Sequence, residues 1–266
     1  MLGFRAPKVK VRGWDVAGTV ESVGAGVTQF KPGDDVYGTA RGSFAEFVCA
    51  KEDRIAPKPA NLTFDQAAAV PTAAITALQG LRDKGGIRAG QHVLILGAGG
   101  GVGSFAVQIA KAYGAHVTGV CSTAKVDLVR SLGADEVIDY TKGDVLSLGQ
   151  TYDIILDNGG NRSLASLRRI LVPVGKIVLV GGEDGGPFWG GIGRNVQAAV
   201  QSLFMKQKMI GLVASERAED LEVLTGHIEA GKVTPAIERT YPLEETAEAM
   251  RHWEERKVKG KVVVTV

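Results

Sequence analysis

Residues 93–103 read VLILGAGGGVG, and this stretch decides the fold that the sequence predicts. The apolar run at 93–96 is unbroken, which is typical of a strand buried on both faces. The apolar positions after the glycines have the spacing of one helix face: Val102, Phe105, Ala106, Ile109, Ala110 and Tyr113. The stretch therefore predicts a strand, a tight glycine turn and a helix in direct succession.

The glycine pattern alone is weak. With 36 Gly in 266 residues, a G-x-x-G-x-x-G pattern is expected about 0.6 times by chance. The alternative is a glycine-rich turn without a ligand. The flanking strand and helix favour a turn that lets the backbone approach a dinucleotide pyrophosphate at the start of the helix. The residues predicted to contact the cofactor here are Gly97, Gly99, Gly100, Gly101 and Val102.

Further apolar runs alternate with helical patterns along the middle of the chain. Strands are predicted at 93–96, 117–120, 137–138, 154–156, 177–180 and 209–213. This alternation predicts an α/β fold, a Rossmann doubly wound parallel sheet. Alternating apolar residues and turn signals before residue 60 predict short antiparallel strands. A helix is expected to start at Thr63, with Gln66 completing a capping box. The expected domains are 1–75, 76–213 and 214–266, with the terminal strand returning to the first domain.

Composition limits the partners. The net charge is +2 without a basic block, so nucleic acid is not expected as a partner. Two cysteines cannot form a disulfide framework. No apolar run approaches the ~20 residues of a membrane span, and the first residues lack the pattern of a signal peptide. We expect a cytoplasmic protein that binds a small-molecule substrate and no membrane.

The end of the second strand of the parallel sheet indicates which dinucleotide is bound. An acidic residue there would hold the ribose 2′-hydroxyl of NADH. The strand instead runs into Ser122, Thr123 and Lys125, and no acid occurs before Asp127. Hydroxyls and a lysine suit a 2′-phosphate, whereas a carboxylate would repel it. The sequence therefore favours NADPH; the alternative is that Lys125 is an ordinary solvated helix residue.

Four segments resemble a known family. They read GWDVAGTVESVG at 13–24 with FKPGDDV at 30–36, AAAVP at 67–71 with TA at 76–77, GAGGGVG at 97–103 with AVQIAK at 106–111, and LGAD at 132–135 with VIDY at 137–140. In this order they resemble the medium-chain dehydrogenase/reductase superfamily, in particular its zinc-independent quinone-oxidoreductase-like branch. The resemblance implies a Rossmann domain together with a GroES-like β-rich domain, partial in this chain.

The resemblance also implies residue roles. Lys125, Tyr140 fifteen residues later and Arg256 near the end match the residues that commonly hold the 2′-phosphate in that branch. Other positions match residues near the cofactor or its nicotinamide: Thr76, Asn158, Val180, Gly181 and Gly182. Thr76 is equally well explained as a helix-packing threonine. The family is commonly dimeric, often through the last Rossmann strand, so a homodimer is expected through residues 209–213.

Zinc is not expected. Zinc-dependent relatives carry His where this chain has Trp14, Glu where it has Asp15, and Cys near Thr72. The cysteines of a structural zinc lobe are also absent from the sequence. A tetrahedral site needs clustered ligands, and the four histidines are scattered at His92, His116, His227 and His252.

The resulting hypothesis is an NADPH-dependent reductase that transfers hydride to a quinone, an enone or a carbonyl, with no general acid assigned. One alternative is a zinc-free alcohol dehydrogenase that uses NADP. Another is an NADPH-binding protein with little or no catalysis, because the family begins upstream of Gly13 and this chain starts at Met1. A different start codon or a naturally shortened member would explain that start, with an incomplete substrate side. Residues 185–191 and Phe204 are expected near the substrate, or in a surface loop.

Overall fold

The computed structural model describes residues 11–180, 198 and 205–266. The chain forms two compact units. The first unit comprises the described parts of Met1–Ile75 with Ser215–Gly231 and Pro235–Val266. The second comprises the described parts of Thr76–Ala214 with Lys232–Thr234, so the chain enters the second unit twice.

The second unit is built on a six-stranded parallel sheet, whose strands lie side by side in the order Glu136–Asp139, His116–Cys121, His92–Leu96, Tyr152–Asp157, Leu171–Leu179 and Lys208–Gly211. This is the doubly wound arrangement that the alternating apolar runs predict, and the fold prediction is confirmed. The strands are β4 (His92–Leu96), β5 (His116–Cys121), β6 (Glu136–Asp139), β7 (Tyr152–Asp157), β8 (Leu171–Leu179) and β9 (Lys208–Gly211).

Apolar side chains on both faces of the central strands form the core of this unit. Val93, Leu94 and Ile95 of β4 are fully buried. Burial on both faces explains why the strand reads as an unbroken apolar run. The helices of the unit are the end of α2 (Pro71–Gln79), a π-helical turn (Gly80–Gly85), α3 (Gly101–Ala112), α4 (Val126–Ser131), α5 (Leu164–Arg169) and the 3-10 turns Thr123–Lys125 and Val145–Ser147.

Strand β8 is longer than the sequence predicts, because it begins at Leu171 rather than at residue 177. Its first half contains Pro173, which has no N–H to donate to a neighbouring strand. The pairing of β8 with β7 shifts register between Tyr152 and Ile154, and Val174 is exposed. The irregular, partly exposed half therefore lacks the apolar pattern of a buried strand.

The first unit contains two small sheets. The short antiparallel strands that the sequence predicts are present as a three-stranded sheet: β1 (Asp15–Thr19), β2 (Asp35–Thr39) and β3 (Ile55–Pro57), paired in chain order. A parallel pair consists of β10 (Ile237–Pro242) and β11 (Lys261–Thr265). The helical elements are the 3-10 turns Glu52–Arg54 and Leu243–Glu245, and the helices α1 (Phe64–Ala68), α6 (Ala218–Glu229) and α7 (Thr246–Glu254).

Two local predictions in this unit have different outcomes. The capping box is confirmed: Thr63 Oγ1 accepts from Gln66 N at 3.3 Å, and Thr63 N donates to Gln66 Oε1 at 3.0 Å. Strand β10 is not predicted, because Pro235 and Pro242 at its two sides read as turn signals. The prolines only bound the strand, and β11 supplies its partner.

A buried tyrosine ties β2 to α6 in the first unit. The Tyr37 hydroxyl donates to Leu221 O at 2.7 Å and contacts Thr225 Oγ1 at 2.9 Å. The Tyr37 side chain is fully buried, and burial raises the pKa of its hydroxyl far above the usual range. The hydroxyl is therefore a fixed neutral donor in the core.

Replacing Tyr37 with phenylalanine is expected to lower the free energy of unfolding by about 1–2 kcal/mol, because buried hydrogen bonds are lost without a change of shape. Thermal and urea unfolding measure the loss. Tyr140→Phe is a control for stability only, since that ring is 56% exposed. Equal stability of the two variants would contradict the role of the Tyr37 hydroxyl.

Candidate functional site

Hydrogen bonds to the end of β5 fix the turn between β4 and α3. Gly97 N and Ala98 N both donate to Val120 O, each at 3.0 Å, and Gly100 N donates to Gly97 O at 3.1 Å. Gly97 has a φ of +74°, a conformation that glycine adopts without steric cost. The backbone of the turn is therefore fixed by bonds that no side chain provides.

Gly103 brings α3 into close contact with this turn. A Cβ at position 103 would lie 2.1 Å from Gly97 O and 2.7 Å from Ala98 Cα. Real Cβ atoms do not approach backbone atoms this closely, so only glycine fits between the helix and the turn. By contrast, a Cβ at Gly100 would lie 3.5 Å from its nearest neighbour, which is ordinary contact.

The amino terminus of α3 provides the groups that an anion needs. The helix starts at Gly101, and its N-cap residue, Gly100, has no side chain that could cap the first turn. The first N–H groups of an α-helix have no partner within the helix and carry partial positive charge. Gly101 and Val102 lie in this turn and are half-buried. The arrangement fits a dinucleotide pyrophosphate.

Asn158 lies beside the turn, at the carboxyl end of β7. Its Nδ2 donates to Leu96 O at 3.0 Å, and its Cβ lies 3.4 Å from where a Cβ on Gly97 would be. Its Oδ1 is buried and has no hydrogen-bond partner among the described residues. An unpartnered buried acceptor costs about 1–3 kcal/mol, so Asn158 fits a position that receives a donor, such as a ribose hydroxyl.

The turn after β5 covers part of the glycine turn. A Cβ on Gly99 would lie 2.7 Å from Lys125 Cβ and 2.9 Å from Lys125 Cδ, so the lysine stem packs directly over this glycine. Ser122 is half-buried at the start of the same turn. The structure therefore brings Gly99, Ser122 and Lys125 together at the carboxyl edge of the sheet, where open parallel sheets bind ligands.

Cys121, the last residue of β5, is buried below this turn. Burial raises the pKa of its thiol to about 11, with a further increase from the Asp139 carboxylate. Only the thiolate is nucleophilic, so this thiol is inert near pH 7.

Asp139 is a site residue to which the sequence analysis gives no role. It ends β6 and pairs in register with Cys121. Its Oδ2 accepts from Thr123 Oγ1 at 2.6 Å, and its Oδ1 accepts from Thr141 Oγ1 at 2.7 Å and Thr141 N at 3.0 Å. The Thr123 hydroxyl therefore faces a carboxylate. The only sequence signal for Asp139 is its position at the end of an apolar strand, in the segment VIDY.

The other predicted cofactor residues lie in several places. Tyr140 is exposed and donates its N–H to Cys121 O at 3.1 Å, beside the β5 turn. Thr76 is buried in α2, and Val180 is half-buried after β8. Arg256 belongs to the first unit, is exposed, and has a φ of +57°. Gly181, Gly182, residues 185–191 and Phe204 lie outside the described residues.

The positions compared with zinc ligands are joined by hydrogen bonds and ion pairs in the first unit. Trp14 Nε1 donates to Glu216 Oε1 at 2.5 Å, and Arg54 pairs with Glu216 at 2.6 Å. Asp15 accepts from the backbone N–H of Thr72 at 3.0 Å and also from its hydroxyl, and it pairs with Lys261 at 3.3 Å.

No group of three or more His, Cys, Asp or Glu side chains in the described part of the chain is arranged to hold a metal ion. The ring centroids of His92 and His116 are 5.0 Å apart, at the amino ends of β4 and β5, on the opposite edge of the sheet from the glycine turn. Across residues 11–180, 198 and 205–266, no helix combines the length and the hydropathy that a bilayer span requires.

Comparison with known proteins gives the family. The family model for an alcohol dehydrogenase GroES-like domain matches residues 2–60, and the model described as a zinc-binding dehydrogenase matches residues 132–264. A mitochondrial NAD(P)H oxidoreductase of Bos taurus is 35% identical over 96% of this chain and 70% of its own length.

Two further relatives agree. A chloroplastic NADPH-dependent alkenal/one oxidoreductase of Arabidopsis thaliana is 35% identical over 97% of this chain and 64% of its own length. The structure of the quinone oxidoreductase from Coxiella burnetii superposes with a TM-score of 0.84 at 32% identity, covering 96% of this chain and 79% of that one. The chain therefore belongs to the medium-chain dehydrogenase/reductase superfamily, as a quinone-oxidoreductase-like oxidoreductase with a nicotinamide cofactor.

Proposed function

We propose that this chain is a zinc-independent, NADPH-dependent reductase that transfers hydride to a quinone, an enone or another carbonyl compound. The observation that carries the proposal is the glycine turn, with the uncapped start of α3 on one side and the Lys125 stem packed over Gly99 on the other. Both features lie where a dinucleotide meets the carboxyl edge of a parallel sheet. When bound, the cofactor supplies a hydride from its nicotinamide ring.

The backbone would bind the pyrophosphate. The N–H groups of Gly101 and Val102 point along the axis of α3 and carry the positive end of its dipole. The bonds of Gly97 N and Ala98 N to Val120 O hold the turn in place before the ligand arrives. Little rearrangement of the turn is then needed on binding, which favours affinity.

The preference for NADPH would come from Lys125. No acid ends β5, and the ammonium of Lys125 extends from a stem that is already ordered against Gly99. Ser122 and Tyr140 would add hydroxyl donors. The role of Arg256, a residue of the first unit, stays a prediction from the family resemblance. The name of the Arabidopsis relative, an NADPH-dependent oxidoreductase, agrees with this assignment.

The substrate class rests on the relatives. Two of them are named for alkenals or enones and for quinones. These compounds share an electrophilic carbon, either a carbonyl carbon or a β-carbon conjugated with a carbonyl group, and the carbonyl oxygen gains negative charge as hydride arrives. We assign no residue as the proton donor and propose that solvent provides the proton. The protein's own contribution is then to align the two reactants.

The test is turnover by the purified protein. We expect oxidation of NADPH, followed at its absorbance band, with at least one member of a panel of quinones, enones and aldehydes, and slower oxidation with NADH. Tight NADPH binding without turnover on any of them would indicate a cofactor-binding protein and contradict the enzymatic part of the proposal. If the protein oxidises alcohols with NADP and reduces no member of the panel, it is a zinc-free alcohol dehydrogenase instead.

Zinc independence makes its own prediction. Trp14 and Asp15 are engaged with Glu216, Thr72 and Lys261, and the cation of Lys261 already neutralises the Asp15 carboxylate. We expect elemental analysis to find zinc well below one atom per chain, and dialysis against a chelator to leave reductase activity unchanged. Loss of activity on chelation, restored by added zinc, would refute this point.

The assembly state is also a proposal. β9 is the edge strand of the described sheet, and Val213 beyond it is 93% exposed. A second copy would cover this edge by antiparallel pairing. Light scattering on the purified protein is expected to give twice the mass of one chain. The cytoplasmic location stays a prediction.

A further inference from the structure

The carboxylate of Asp139 accepts a hydrogen bond from Thr123, in the turn to which the proposed function assigns the 2′-phosphate. The strands β5 and β6 are neighbours, and Asp139 pairs with Cys121, the residue before the turn at 122–125. The turn carries Lys125, and the hydroxyl of Thr123 in the same turn donates to Asp139 Oδ2 at 2.6 Å, so a negative side chain contacts this turn. The sequence shows no acid at the end of β5, and the structure provides one from the adjacent strand.

The hydroxyl hydrogens around Asp139 are fully used. Thr123 and Thr141 each have one hydroxyl hydrogen. Thr123 Oγ1 donates to Asp139 Oδ2, Thr141 Oγ1 donates to Asp139 Oδ1, and the two hydroxyls also contact each other at 2.8 Å. Three contacts share two hydrogens. Thr123 therefore has no hydrogen to donate to a phosphate while it is bonded to Asp139.

The charge on Asp139 is retained near pH 7. The hydrogen bond from Thr123, followed by those from Thr141, holds the pKa of this carboxyl below its usual value, against the opposing effect of burial. The Asp139 side chain is only 11% exposed, and the Lys142 ammonium is 3.7 Å away. A single exposed lysine at this distance only partly offsets the negative charge.

We propose that Asp139 is a specificity-determining residue that limits the preference for NADPH, so that the chain also accepts NADH. This inference rests on the proposed function. Asp139 acts in two ways: its charge opposes the 2′-phosphate, and it withholds the Thr123 hydroxyl hydrogen. Neither effect changes the binding of NADH, which has a 2′-hydroxyl in place of the phosphate. Lys125 and Asp139 thus bias the same position in opposite directions.

The test is Asp139→Asn, with dissociation constants for NADPH and NADH measured by fluorescence titration. Asparagine keeps the shape, and its Oδ1 can still accept from Thr141. Its amide can donate to Thr123 Oγ1, which releases the Thr123 hydroxyl hydrogen. We expect NADPH to bind about fivefold more tightly, the effect of one screened charge on a phosphate, while NADH affinity stays the same. The gain should shrink as salt is added.

Asp127→Asn is the matched control. It removes the same charge from a fully exposed residue of α4, which pairs with Arg130 at 3.8 Å. We expect no change in the ratio of the two affinities. An unchanged or lower NADPH preference in a stably folded Asp139→Asn variant would overturn the inference.

A second variant covers the case in which Asp139→Asn fails to fold. Because the Thr123 hydroxyl is bonded to Asp139, Thr123→Val is expected to leave NADPH affinity undiminished. A selective loss of NADPH affinity in Thr123→Val would show that this hydroxyl binds the phosphate directly, and the inference would be wrong. If the wild-type chain binds neither cofactor, the proposed function itself fails; if it binds both and Asp139→Asn changes nothing, only this inference fails.

Discussion

Replacing Gly103 with alanine is expected to remove cofactor binding and to destabilise the fold by about 2–3 kcal/mol, the usual effect of overpacking a tight contact. The added Cβ would lie 2.1 Å from Gly97 O. Both partners are backbone atoms of a turn that is bonded to Val120, so neither can move without breaking those bonds. Thermal unfolding and NADPH titration measure the two losses.

Gly226→Ala provides the matched control. Gly226 lies inside α6, and a Cβ there would meet nothing within 4 Å. The same chemical change in an open helical position is expected to raise stability by about 0.5–1 kcal/mol, because alanine favours the helix. Equal effects of the two substitutions would show that the contact between α3 and the turn does not restrict position 103.

Replacing Lys125 with methionine is expected to weaken NADPH binding by about 10- to 100-fold, the loss of one charge-assisted contact. NADH binding should change little. Methionine is preferred to alanine because the lysine stem packs over Gly99, and the methionine side chain keeps that packing. Fluorescence titration measures the dissociation constants for both cofactors. Loss of the charge should weaken NADPH binding alone, whereas a change of shape at Gly99 should weaken the binding of both.

Two control variants test whether the effect comes from the charge at position 125. Lys125→Arg keeps the cation and should retain most of the NADPH preference, although a guanidinium is bulkier over Gly99. Lys31→Ala removes an exposed surface lysine that pairs with Asp34 three residues on, and should leave both affinities unchanged. Equal losses for NADPH and NADH in Lys125→Met would rule out the 2′-phosphate assignment.

The parallel sheet could be predicted because its central strands are buried on both faces. That burial forces runs such as 93–96 to be apolar throughout. The prediction fails where this condition fails: the first half of β8 is partly exposed and contains Pro173, and β10 is short and bounded by prolines. In both places the neighbouring strand, rather than the local pattern, determines the structure.

The geometry of the candidate site could be predicted from the sequence only in its local parts. The glycine turn and Lys125 follow one another along the chain, so spacing reveals them. Asp139 needed the register of β5 against β6, which brings Cys121 beside it. The Oδ1 atom of Asn158 lacks a partner in the described part of the chain because Nδ2 of the same amide is the atom that bonds to Leu96 O, and only the structure shows this orientation. Neither relation leaves a periodic pattern in the sequence.

Gln108 shows the same limit. It lies on α3 and has the sequence context of an ordinary polar helix residue. Its Nε2 donates to Thr234 O at 2.9 Å and its Oε1 accepts from Thr234 N at 2.8 Å. This pair of bonds holds the segment Lys232–Thr234 to the second unit, although the residues on both sides belong to the first.

The proposed cofactor site consists of the turn at residues 97–103, which would bind the dinucleotide, and the turn at residues 122–125, which would bind its 2′-phosphate. Amide chemical shifts of the isotopically labelled protein, followed during titration with NADP, test it most directly. We predict saturable shifts at both turns and none at His92 and His116, on the opposite edge of the sheet; NAD should move the first turn and leave Lys125 nearly unchanged. Saturation without any shift in residues 97–103 would show that the glycine turn does not bind the cofactor.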